Sequence, residues 1–324
     1  MANKVLSVVV PTYNMEAYLP RCLDSVTRED VPDTLEVIVV NDGSKDRSLE
    51  IAKEYQVKRP DIIQIIDKPN GHYGSCINAA LKAATGKYFR PLDADDWFDT
   101  ESLVQMISRL ETTNADMLIT PFKVFTKDEI FTIKSEHLIP NQVHTDLQTL
   151  NAKDMRFFAM HGITYKTDVL KQSDYRQTEG ICYTDMEYVL YPQDHVKSFE
   201  CFNEALYMYD MNREGQSMDP YVFQKGALQF YKIFKRYLEN RSSIPKHFFT
   251  KLLDFLHPFY FQIIFSKTKE NDLYLNKIDK ELIRINKEIT KNLDKRLFHL
   301  LTLWRSTKIH PWILESMKKS LTHR

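Results

Sequence analysis

Three carboxylates fall within four residues at Asp93-Ala94-Asp95-Asp96. Groups this close repel one another, and at the end of a buried strand the repulsion calls for a compensating cation. A hard divalent ion such as Mg²⁺ or Mn²⁺, held between one or two carboxylates and phosphate oxygens, supplies that compensation. The residues alone leave a second reading open, a solvated acidic turn that caps the helix after Trp97. Two further polar segments, Pro11-Thr12-Tyr13-Asn14 and Asn41-Asp42-Gly43-Ser44, each follow a short apolar run, as the acidic cluster does.

Those apolar runs are the elements that must position the loops. Val5 to Val10, Leu35 to Val40, Ile62 to Ile66 and Tyr88 to Leu92 read as strands buried on both faces. Helical patterns separate them: Met15 to Val26, a segment ending near Lys58 with Ser44 placed to cap it, and Ser75 to Ala84. Strand and helix alternating at short intervals predict a mostly parallel α/β sheet. Ligands of such sheets bind outside the carboxyl ends of the strands, where the three polar segments lie. Further on, Ser102 to Thr112 and Asp185 to Tyr191 read as helices, and Met117 to Phe125 and Ala205 to Asp210 as strands.

The 324 residues suffice for a large domain and a smaller one. From about Asp219 the pattern becomes long amphipathic helices, roughly 221–239, 245–265, 273–303 and 311–321, and the expected boundary divides residues 1–218 from 219–324. From Tyr221 onward 21 Lys and Arg face 9 Asp and Glu, against a net charge of zero for the whole chain. A basic surface with aromatic stretches such as Phe259-Tyr260-Phe261 suits peripheral contact with an anionic membrane. The plainer reading is a helical bundle whose aromatics form its core or a homo-oligomer interface. No nucleic-acid-binding module accompanies the charge. The four cysteines form no Cys-x-x-Cys pair, no apolar run reaches 18 residues, and a strand begins after four residues. The expectation is a cytoplasmic protein without zinc, disulfides, secretory signal or membrane span.

Taken in order, Val8-Val9-Val10-Pro11-Thr12-Tyr13-Asn14, Val39-Val40-Asn41-Asp42-Gly43-Ser44-Lys45-Asp46 and Gly86-Lys87-Tyr88-Phe89-Arg90-Pro91-Leu92-Asp93-Ala94-Asp95-Asp96 resemble the family 2 glycosyltransferases over roughly residues 4–215. The resemblance implies the A-type glycosyltransferase (GT-A) fold, a Rossmann-like α/β sheet, here followed by a C-terminal α-helical domain. It also implies inverting transfer of a hexose or N-acetylhexosamine from a UDP-sugar to a hydroxyl of a saccharide, lipid-linked saccharide or glycoprotein, as in bacterial surface polysaccharide assembly. Pro11, Thr12, Tyr13, Asn14 and Asp42 would hold the nucleoside, and Asp93 with Ala94 would lie by the ribose. Asp95 would ligate Mn²⁺ or Mg²⁺, with Asp96 either a supporting group or a helix cap. Asn70, Gly74 and Asn78 fall where the family opens a helix beside the nucleotide, and Ile77 stands where many members carry arginine.

An inverting transfer also needs a base on the acceptor side that is not a metal ligand. Asp185, in Tyr183-Thr184-Asp185-Met186-Glu187, fits the family's position, a role compatible with capping a helix, and Glu179 is the reserve. His161 would bind an acceptor hydroxyl or a phosphate, and Arg213 would neutralise phosphate charge, although a structural histidine and a solvated turn suit the same residues. Two rival classes use a similar sheet. A nucleotide-sugar-binding partner subunit without catalysis would not need both Asp95 and Asp185. A nucleotidyltransferase would open with a Gly-rich basic loop in place of Pro11 to Asn14.

Overall fold

The computed structural model describes residues 3–147, 150, 158–173, 175–213 and scattered positions from 229 to 306. The chain packs as two compact units, Met1–Gln216 and Ser217–Arg324. In the first unit the elements run β1 (Leu6–Thr12), α1 (Leu19–Thr27), β2 (Leu35–Asn41), α2 (Ser48–Lys58), β3 (Ile63–Asp67), α3 (His72–Ala83) and β4 (Tyr88–Pro91). They continue with β5 (Trp97–Phe98), α4 (Thr100–Thr112), β6 (Met117–Ile119), β7 (Phe122–Phe125), β8 (Ile130–Ile133), β9 (Val143–His144), β10 (Ile163–Lys166), α5 (Thr167–Gln172), α6 (Asp185–Leu190), β11 (Phe199–Cys201) and β12 (Tyr207–Asp210).

The main sheet has the order β3-β2-β1-β4-β10-β6-β11-β9. Its first four strands are parallel, with Val8 opposite Val37 and Arg90. Every residue of β2 is buried, which accounts for its unbroken Val and Ile run. Leu19, Cys22, Leu23 and Val26 on one stripe of α1 pack with Val8 and Val10 into the core beneath the sheet. Antiparallel β10 separates β4 from β6, and a smaller sheet, β5-β12-β7-β8, stands beside the acidic loop.

Two local expectations are corrected. Met117 to Phe125 is two strands in different sheets, because the chain leaves the ladder at Thr120 and Pro121 lacks an N–H to continue it. Ser44 does not cap α2, which begins at Ser48; its hydroxyl accepts the Asn14 N–H at 3.1 Å and so joins two loops.

Gly86 sits where β4 begins, and a Cβ there would lie 2.5 Å from the Ser7 nitrogen and 2.8 Å from the Leu6 carbonyl carbon. Backbone atoms of β1 cannot yield as a side chain would. Gly86→Ala is expected to cost about 2 kcal/mol and to lower the melting temperature by roughly 4–8 °C, read by circular dichroism; an unchanged melting temperature would show that the strands can part without penalty.

In the second unit, 232–237 is helical, with Ile233, Phe234 and Tyr237 buried and Lys235 paired with Glu239 at 3.4 Å. Most of the four helices expected there, and the aromatic stretches assigned to membrane contact, lie outside the described residues. Among the described residues no helix is long and apolar enough to cross a membrane.

Candidate active site

Because β1, β2 and β4 are parallel and in register, their carboxyl ends emerge on one edge. Thr12 pairs with Asn41, the Asp42 N–H reaches the Thr12 carbonyl at 2.9 Å, and the Leu92 N–H reaches the Val9 carbonyl at 2.8 Å. Asn14 adopts a left-handed conformation (φ 54°), which asparagine tolerates better than most residues, and its Oδ1 accepts the Lys45 N–H at 2.7 Å. Tyr13 is 45% exposed at this edge, whereas Thr12 is buried and its hydroxyl donates to the Val10 carbonyl. Asp42 is buried, and its Oδ1 accepts the Gly71 N–H at 2.9 Å and a short bond from Lys68 Nζ. That carboxylate is thereby fixed in orientation before any ligand arrives.

The segment from Asn70 to Asn78 divides. Asn70 is exposed beside Gly43. Gly74 and Asn78 make contacts within the fold. A Cβ on Gly74 would meet the Thr178 carbonyl oxygen at 2.3 Å, so this glycine lets the 177–179 loop lie against α3. The Asn78 amide donates to the Gln177 carbonyl and to Glu179, both at 2.9 Å, and accepts the Gln177 N–H. Ile77 is fully buried on the face of α3 that meets the core, so its position offers no contact to a nucleotide. Glu179 is held by Asn78 and Arg176, whose hydrogen bonds keep its carboxyl below the usual range and make it a poor proton acceptor.

The three acidic residues separate sharply in environment. Asp96 is 1% exposed and accepts the Tyr207 hydroxyl and the Asp210 N–H, both at 2.7 Å, so it ties the loop to β12. It is not the helix cap; Asp99 caps α4 by accepting the Ser102 N–H at 2.9 Å. Asp95 accepts Arg213 Nε at 2.6 Å, and its carbonyl accepts Arg21 at 2.7 Å. Asp93 is half-buried, and its sealed Oδ1 has no hydrogen-bond partner among the described residues. Burial, and then the Asp95 charge, push the Asp93 carboxyl up to about 8, a push that the nearby Tyr73 hydroxyl opposes.

His161 lies on a tight turn, Met160–Gly162, just before β10. Its ring stacks on Tyr209 at 4.2 Å and meets Tyr207 edge-on at 4.8 Å. Beneath it, fully buried Arg90 donates to the Thr120 hydroxyl at 3.0 Å, the Thr164 hydroxyl at 2.8 Å and, in a short bond, the His161 carbonyl. One ligand atom each from Asp93, Asp96 and His161 lie within 4.8 Å of one another. Two carboxylates and an imidazole suit a divalent ion such as Mn²⁺, and the orphaned Asp93 oxygen is the group such an ion would satisfy. Asp95, the ligand expected from the sequence, is not one of the three.

Asp185 is the first residue of α6, after Tyr183 in the left-handed region (φ 64°). Fully buried Glu187 fixes this platform by accepting the Thr178 N–H at 2.6 Å and its hydroxyl at 2.7 Å. The half-buried Asp185 carboxylate is near enough for its charge to add to the upward push on Asp93, Tyr73 and Tyr209. The sheet edge thus brings together Asp42, Asp93, Asp95, Asp96, His161, Arg213 and Asp185. Sequence reasoning missed Tyr73, Tyr207, Tyr209, Arg21 and Arg90; the alternation of Tyr207 and Tyr209 placed both on one strand face, but nothing local said what that face meets.

The sequence profile of glycosyl transferase family 2 matches residues 7–173. The chain belongs to that family. Among relatives of this chain, the uncharacterized glycosyltransferase EpsJ of Bacillus subtilis is 29% identical over 223 residues, 67% of this chain and 64% of EpsJ. TarS of Staphylococcus aureus, a poly(ribitol-phosphate) beta-N-acetylglucosaminyltransferase, is 27% identical over 232 residues, 71% of this chain and 39% of TarS. The chain therefore spans less than two thirds of either relative. A crystal structure of TarS residues 1–349 in complex with UDP-GlcNAc superposes with a TM-score of 0.72 at 22% identity, covering 98% of this chain and 92% of that one. The mannosyltransferase PcManGT of Pyrobaculum calidifontis, in complex with GDP-Man and Mn²⁺, gives 0.51 at 14% identity, covering 97% and 84%. The chain has the GT-A fold that its sequence implied.

Proposed function

We propose that this chain transfers a hexose or N-acetylhexosamine from a UDP-sugar to a saccharide or glycoconjugate hydroxyl with inversion, using Mn²⁺ or Mg²⁺, in assembly of a bacterial surface polysaccharide. The observation that carries the reading is the division of carboxylates. Asp93, Asp95 and Asp96 occupy the loop after β4, while Asp185 approaches from α6 closely enough for its charge to reach Asp93. A single displacement needs that division, since the group that takes the acceptor proton cannot also neutralise the leaving diphosphate. The donor is argued from TarS, whose structure holds UDP-GlcNAc, and the ion from PcManGT, whose structure holds Mn²⁺.

In this reading Asp42 and the Pro11 to Asn14 loop orient the nucleoside, and Tyr13 offers a ring for the base to lie against. Asp93, Asp95, Asp96 and His161 are the residues able to hold a divalent ion, which when bound neutralises charge on the departing nucleoside diphosphate. Asp185 accepts the proton of the acceptor hydroxyl as its oxygen bonds to the anomeric carbon and the bond from that carbon to the diphosphate oxygen breaks. Residues 1–218 form the catalytic domain, and 219–324 a helical domain that serves the acceptor, a membrane surface or a second copy of the chain.

The test is a panel of UDP- and GDP-sugars incubated with Mn²⁺ or Mg²⁺, following release of the nucleoside diphosphate. UDP-sugars are expected to turn over only with the metal present. Turnover of GDP-sugars alone would refute the donor assignment, and turnover unaffected by chelator would refute the metal.

A further inference from the structure

Asp95 and Arg213 form a partly buried ion pair, Nε to Oδ2 at 2.6 Å, with side chains 13% and 23% exposed. The backbone on both sides of this pair is fixed. Arg21 donates to the Asp95 carbonyl at 2.7 Å and to Asp210 Oδ2 at 3.0 Å while lying 3.9 Å over the Trp97 ring. The Asn212 N–H closes on Asp210 Oδ1 at 3.1 Å, and the Met211 N–H on the Phe125 carbonyl at 2.9 Å. The pair occupies the carboxylate that the resemblance assigns to a metal, while Asp93, Asp96 and His161 already converge without it.

We infer that Arg213 is a cation held on Asp95 in the free protein, which a divalent ion must displace and which then binds the donor diphosphate. This rests on the metal-dependent reading above and adds an order to it. The guanidinium on Oδ2 neutralises the Asp95 carboxylate and repels a second cation brought to either of its oxygens, so the ion alone competes with a charge-assisted bond that is partly shielded from water. When a nucleoside diphosphate arrives with the ion, the released guanidinium gains a new anionic partner, whose oxygens match its planar fork. Metal and donor therefore bind with positive coupling, and by linkage each strengthens the other by the same factor. Arg213 is thus a donor-binding residue whose resting position guards the site against a metal without substrate.

The test measures Mn²⁺ affinity directly, from the loss of the free-ion electron paramagnetic resonance signal, with and without UDP. In the wild type UDP is expected to tighten Mn²⁺ binding about tenfold or more. In Arg213→Gln, Mn²⁺ alone is expected to bind about fivefold tighter than in the wild type, and the gain from UDP to shrink to about threefold or less. Arg213→Lys, which keeps a cation at the site, should bind Mn²⁺ alone as weakly as the wild type and so separates competition from altered shape. Arg213→Gln binding Mn²⁺ alone no tighter than the wild type, or keeping the full coupling to UDP, overturns the inference while leaving the metal reading intact. A wild type that binds no Mn²⁺ even with UDP overturns both.

Discussion

Asp185→Asn is expected to lower the rate of transfer at saturating donor by about a thousandfold, within the range measured for loss of a general base, while donor affinity changes by less than about twofold. The amide has the size and hydrogen-bonding reach of the carboxylate but cannot accept the proton. Asparagine is also acceptable at the start of α6, so the platform held by Glu187 should stay folded. Steady-state kinetics beside direct titration of UDP-sugar separate the two quantities. A variant that loses donor affinity in proportion to rate would place Asp185 at the nucleotide, and one with nearly normal rate would remove it from the reaction.

Asp95→Ala carries the second large effect. It removes both the expected metal ligand and the partner of Arg213. Metal-dependent turnover is expected to fall by about a thousandfold, consistent with losing several kcal/mol of charge stabilisation on the leaving group. Stability should change little, because the fold is anchored at this loop by Asp96 through Tyr207 and Asp210. Turnover that stays high and still responds to chelator would shift the metal wholly onto Asp93, Asp96 and His161, the three that already converge.

The parts of this site that were legible in the sequence are those carried by strand ends. Continuous Val and Ile runs read as strands covered on both sides, and parallel strands send their following loops to one edge, so the positions of Asp42 and of Asp93 to Asp96 follow from the sequence. The roles within the acidic cluster were less legible. Asp96 differs from its neighbours only because Tyr207 and the Asp210 backbone, more than a hundred residues away, bond to it. Arg90 meets His161 from 71 residues away, and Tyr73 comes beside Asp93 only because α3 and the loop after β4 converge at the sheet edge. Gly74 and Asn78 sit in a segment that resembles a nucleotide loop, yet α3 uses them to seat the 177–179 loop, a contact that motif spacing does not encode. The reserve base, Glu179, is engaged by Asn78 and Arg176, whose hydrogen bonds lower its carboxyl and so weaken it as a base, and neither partner is legible from spacing.

The central claim is that the two acidic groups have separate work, with the loop after β4 serving the metal and diphosphate and Asp185 serving the acceptor. Titration calorimetry of UDP in the presence of Mn²⁺, run on the wild type, Asp185→Asn and Asp95→Ala, tests it most directly. UDP is expected to bind the wild type and Asp185→Asn alike, only with the ion present, and to bind Asp95→Ala weakly and without regard to the ion. Equal weakening in both variants, or binding in all three proteins that ignores Mn²⁺, would contradict the account.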